Sequence, residues 1–167
     1  MPTISDNTTT NILIDILGVD RISALIQRLE LSATTLERKL MDAPAGAQGR
    51  DNWTSPEDMR RLFQLLKAPP AYLATAAATL TVIKGQEINH KLPHDLPTGT
   101  VVAHRTGELD DTEHDAGIIY RGTAAAIAVV MATDLAHSSQ GVALCQRVGA
   151  WVYTQMAVPS ETRLIGV

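Results

Sequence analysis

Cysteine is almost missing from this chain. Cys145 is the only one in 167 residues, which excludes an intrachain disulfide framework and any zinc site built on cysteines. Basic runs are missing too: the net charge is −4 and the pI is near 5.7, so neither nucleic acid nor an anionic membrane is expected as a partner. No stretch is long and apolar enough to span a bilayer. Residues 1–6, Met-Pro-Thr-Ile-Ser-Asp, lack the basic start and apolar run of a signal peptide, so the sequence as written is expected to remain cytoplasmic. The histidines His90, His94, His104, His114 and His137 fall in turn-like or strand-end contexts, not on a zinc helix, and neither metal nor cofactor is expected. What is present is 45% hydrophobic and 19% charged, a globular composition in a length suited to one domain with its own core.

Helical periodicity dominates the first part of the chain. Ile12, Leu13, Ile16 and Leu17 share one face of a helix over residues 8–17, which Gly18 ends. Asp20 is expected to cap a second helix that presents Ile22, Leu25, Ile26 and Leu29. Residues 43–52 read as a loop, and Thr54 with Glu57 forms a capping box for a third helix burying Met59, Leu62, Phe63, Leu65 and Leu66. Ala68-Pro69-Pro70 stops it, and the alanine-rich residues 71–84 restart a helix. Pro93 and Pro97 then bracket a loop. Beyond them come strands at 101–103 and 116–120, a buried third strand at 124–133, and a last helix from Ser138 or Ser139 to about Met156. This order implies an α+β fold with an antiparallel sheet: a single domain whose helical part covers about 1–92, with the sheet and final helix over about 93–158.

Two short motifs carry chemistry. Arg105-Thr106-Gly107 ends the strand that starts at Val101 and precedes an acidic, turn-rich segment. Arginine offers a planar positive fork for a carboxylate, threonine a hydroxyl beside it, and glycine room for a backbone or ligand to come close. By itself the triplet is better read as an ordinary solvated hairpin. The second motif, Ser5-Asp6-Asn7, stands directly before the first helix, where each of these residue types can act as a cap, although capping does not require all three in that order.

Together the two motifs resemble two of the three signatures of penicillin-recognising serine enzymes, and the chain is similar to the class A β-lactamase superfamily over nearly its whole length. Asn11, the segment 34–42 at the position of that family's omega loop, Thr54-Ser55-Pro56-Glu57-Asp58-Met59 and His114-Asp115-Ala116-Gly117 extend the resemblance. It implies a serine nucleophile acylated by a β-lactam or peptide-like substrate and released by water, with oriented donors stabilising the oxyanion. It further implies that Ser5 relays a proton to the leaving nitrogen and that Asn7 holds the substrate amide. Arg105, Thr106 and Gly107 would take the substrate carboxylate, with Arg105 in place of the more usual lysine. Members of the family are usually exported.

Two departures qualify the resemblance. No Ser-x-x-Lys nucleophile motif occurs in the 167 residues, and Leu40 stands where the omega-loop glutamate is expected, with Glu37 and Asp42 out of register. The expectation is therefore the C-terminal portion of a β-lactamase-like serine hydrolase, able to bind substrate and inactive alone. The alternative is a ligand-binding or interaction module derived from that fold. In the family, amino-terminal strands pair with the strand corresponding to 124–133, so the resemblance also implies an open edge here and self-association through it.

Overall fold

The computed structural model of the protein describes residues 6–156, which divide between Glu87 and Ile88 into a helical unit and a sheet unit. The helical unit holds α1 (Asn7–Leu17), α2 (Val19–Arg28), α3 (Ala43–Ala47), α4 (Pro56–Lys67) and α5 (Ala76–Ile83). Asp6 caps α1, its Oδ1 accepting from Thr9 N at 2.5 Å. Gly18, at φ 81°, closes α1 and is also the N-cap of α2, so Asp20 lies in the first turn of α2 and not at its cap. The expected buried face of α1 is open: Ile14 is buried, whereas Ile12, Leu13, Ile16 and Leu17 are exposed. The reason is local: within the helical unit, α2 is the one named element that packs against α1 among the described residues.

The capping box of α4 is shifted by one residue. Ser55 is the cap and its Oγ accepts from Asp58 N at 3.1 Å, while Thr54 Oγ1 bonds Thr34 Oγ1 and Glu57 pairs with Arg60. Pro56 sets this frame, because the residue before a proline is held extended, and extended backbone is what an N-cap needs. The expected loop at 43–52 contains the short α3, capped by Asp42 Oδ1 on Ala45 N at 3.0 Å.

In the sheet unit β1 (Val102–Leu109), β2 (Thr112–Arg121) and β3 (Ala124–Ala132) form an antiparallel sheet in the order β1-β2-β3, followed by α6 (Ser138–Gln155). Helix α6 lies over β2 and β3, and Leu92, Val102, Ile119, Ala128, Val130 and Cys145 form the core between them. A side chain at Gly149 would come within 2.1 Å of Leu92 O, so the helix can approach only because glycine is there. Neither Ser138 nor Ser139 caps α6; His137 occupies the cap without a side-chain bond. The acidic segment expected as a turn is strand instead: β1 runs through Gly107 to Leu109, leaving Asp110 and Asp111 to turn the chain. The third strand is only partly buried, with Ala128 and Val130 its buried residues. The unit boundary falls before residue 92 because Asn89, Lys91 and Leu92 all bond to the sheet. No helix among the described residues is long and apolar enough to cross a membrane.

Candidate substrate-binding site

The triplet lies within β1, an edge strand that no other strand pairs on its outer side among the described residues. Side chains alternate along a strand, so the pairing Arg105↔Ala116 puts Arg105 on one face, with Ala103 and Gly107. Thr106, opposite Asp115, points to the other face with His104 and Glu108. A ligand touching both Arg105 and Thr106 must therefore lie along the edge of β1 rather than over one face. Arg105 is half-buried; burial lowers its pKa, and the charge of Asp115 opposes that shift. A guanidinium starts high enough to remain cationic at neutral pH.

Behind the triplet is a buried polar layer that sequence reasoning did not find. His104 Nδ1 lies 2.9 Å from Asp115 Oδ1, both side chains fully buried, and Leu92 N donates to Asp115 Oδ2 at 3.0 Å. Lys91, also fully buried, places Nζ 2.5 Å from Glu113 Oε2 and 3.0 Å from Glu108 Oε1. Glu113 Oε2 is buried without a well-angled hydrogen bond, so this ion pair is what compensates it. The one available signal was the run of polar residues at alternate positions, His104, Thr106 and Glu108 facing Glu113 and Asp115, in strands otherwise apolar.

The remaining sequence-predicted residues belong to the helical unit. Ser5 lies outside the described residues. Asn7 is the first residue of α1 and is exposed, and the capping reading of Ser5-Asp6-Asn7 is met by Asp6. Asn11 holds the backbone of Leu40 from both sides, Oδ1 accepting from Leu40 N at 2.8 Å and Nδ2 donating to Leu40 O at 2.9 Å. An aliphatic side chain at that position cannot activate water. Cys145 offers no substitute nucleophile, because burial pushes its thiol up to about 11, and it stays protonated at neutral pH.

A helical unit, an antiparallel sheet backed by a C-terminal helix, and a basic-hydroxyl-glycine triplet on the edge strand together define the β-lactamase type of α+β fold. The chain belongs to the Beta-lactamase enzyme family, whose model matches residues 1–156. Among solved structures it is similar to PBP-A, at 26% identity and a TM-score of 0.77 over 91% of this chain and 57% of that one. A variant of PBP-A, solved as an acyl-enzyme complex with penicillin G, aligns with a TM-score of 0.78. A β-lactamase from Sphaerobacter thermophilus is 26% identical, with a TM-score of 0.79 over 93% of this chain and 61% of that one. TLA-1 extended-spectrum β-lactamase, at 22% identity and TM-score 0.79 over 92% and 60% of the two chains, shares the fold. The chain thus spans about three fifths of the length of these solved relatives. No curated protein matches it.

Proposed function

We propose that this chain is the substrate-binding portion of a β-lactamase-like serine hydrolase, taking a β-lactam or a peptide-like ligand along the edge of β1. The observation that carries this reading is Arg105-Thr106-Gly107 on an edge strand, in a chain of this family. Arg105 and Thr106 bind the ligand carboxylate by charge-assisted hydrogen bonds. The roles of Asn7 toward the ligand's side-chain amide and of Ser5 as proton relay are carried over from the family resemblance alone. Acylation requires a nucleophile that the 167 residues do not supply, since no Ser-x-x-Lys is among them. Leu40 in the glutamate's place favours a penicillin-binding character over rapid hydrolysis, because nothing there activates the deacylating water. The acyl-enzyme of the PBP-A variant with penicillin G supports this class of ligand.

The purified chain is expected to show no steady hydrolysis of a chromogenic cephalosporin. Penicillin G should still shift the amide resonances of Arg105, Thr106 and Gly107, weakly, and Arg105→Ala should abolish those shifts. Steady hydrolysis lost in Ser5→Ala would reveal a nucleophile overlooked here, and identical shifts in Arg105→Ala would remove the binding reading. A second reading, a non-catalytic interaction module, draws on β3, an apolar strand at the other edge of the sheet. Self-association without penicillin binding would favour it.

A further inference from the structure

Residues 89–92 cross the face of the sheet that carries Thr106, and they touch three alternate cross-strand pairs, those whose side chains share that face. Asn89 Oδ1 is 3.1 Å from His104 Nε2, at the pair His104↔Gly117. Leu92 N reaches Asp115 at the pair Thr106↔Asp115, and Lys91 stands between the carboxylates of the pair Glu108↔Glu113. The Lys91 ammonium also donates to Gly107 O at 3.2 Å and His114 O at 3.3 Å, the two carbonyls of one further pair. The other side of this segment is fixed to α6, where Gln146 Nε2 donates to His90 O at 2.8 Å.

Like charges directly opposite each other on adjacent strands repel, so Glu108 and Glu113 would drive the end of β1 away from β2 without a cation between them. Lysine is rarely fully buried unless paired, and a buried ion cluster adds little net stability compared with an apolar replacement. Its value lies in fixing geometry. For a ligand to reach both Arg105 and the buried Thr106 from the edge of β1, the strand must hold its backbone still, because small misplacements of a binding group weaken it severely.

We propose that Lys91 is a positioning residue for the binding triplet: its buried ammonium ties Gly107 to His114 and bridges the carboxylates of Glu108 and Glu113, holding Arg105 and Thr106 in place from behind. The inference rests on the ligand-binding reading of the triplet, yet part of its test does not depend on any ligand.

The experiment compares the full chain with Lys91→Met and with the double variant Lys91→Met/Glu113→Gln, which removes the lysine while relieving the carboxylate repulsion. Folding is confirmed by circular dichroism. Amide exchange at Gly107 and His114 should accelerate in the folded variants by about tenfold or more, while β3 is unchanged, and penicillin G affinity per folded molecule should fall by about tenfold. A residue that only stabilised the fold would lower the melting temperature and leave affinity per folded molecule alone. Unchanged exchange at Gly107 and His114 together with unchanged affinity in a folded variant overturns the proposal. If the parent chain shows no penicillin G shifts, the ligand reading fails, and the exchange comparison still decides the role of Lys91. Should neither variant fold, hydrogen-bond couplings in the parent from Lys91 Nζ to the Gly107 and His114 carbonyl carbons support the clamp, and their absence overturns it.

Discussion

Gly107 and Gly117 are both strand glycines on the β1–β2 pair, but the chain's own packing requires only one of them. A Cβ on Gly117 would lie 2.4 Å from His104 Cβ and 2.5 Å from Ala103 O. On Gly107 the nearest atom would be His114 Cβ at 3.5 Å, ordinary contact. Gly117→Ala should therefore destabilise the chain by about 1–3 kcal/mol or more, as overpacking does. Gly107→Ala should melt within a few degrees of the parent and, on the proposed binding role of the triplet, bind penicillin G less well, because the added methyl would stand where the ligand is proposed to come close. Equal binding by Gly107→Ala would remove that role. At this scale the sequence revealed the triplet through its residue types, whereas Lys91 was invisible. In His90-Lys91-Leu92-Pro93 it looks like a solvated loop lysine, and only the fold brings two carboxylates and two carbonyls around it.

Among elements, α4 shows how a buried carboxylate joins segments that sequence periodicity treats separately. Asp58 is 5% exposed, and its Oδ2 accepts from Ala33 N at 2.8 Å and Thr34 Oγ1 at 2.7 Å. Truncation by Asp58→Ala leaves that N–H and hydroxyl without their acceptor, at a cost of about 1–3 kcal/mol. Asp58→Asn keeps an acceptor oxygen and should recover part of the loss. The urea midpoints of the two variants measure this, and equal midpoints for Asp58→Ala and the parent would show that the contact contributes nothing. The longer helices and the three strands were legible because hydrophobic period marks existence and type, whereas the short α3 fell in a segment read as a loop. Caps were less so: at α2 and α4 several neighbouring residues could serve, and Gly18 and Ser55 won on backbone geometry. The apolar face of α1 failed for a different reason, since periodicity identifies a sticky face but cannot say whether anything covers it.

Uncovered apolar surface recurs, among the described residues, in the sheet unit. Leu144 and Trp151 on α6 are 42% and 63% exposed, and β3, over which α6 lies, is an edge strand among the described residues. Its sequence, Ala-Ala-Ala-Ile-Ala-Val-Val-Met-Ala, has no charge, no proline and no lysine, the devices by which edges are normally kept from pairing. Alternate amides of β3 bond to β2, and the intervening ones face outward. A second copy of the chain could satisfy them about a two-fold axis, antiparallel, with each new hydrogen bond contributing roughly 0.5–1.5 kcal/mol net. We therefore expect concentration-dependent dimers or larger species, formed through β3. Light scattering over a dilution series reads the association, and hydrogen exchange from Ile127 to Met131 reads its location, because the outward amides should gain protection as the species grow. Val129→Lys, which places a charge on the strand, should return the chain to monomer. A parent chain that stays monomeric at every concentration, with the outward amides of β3 exchanging freely, would show that this edge recruits nothing. Association that persists in Val129→Lys with unchanged exchange at β3 would move the contact to another surface, with the exposed α1 face formed by Ile12, Ile16 and Leu17 the next to test.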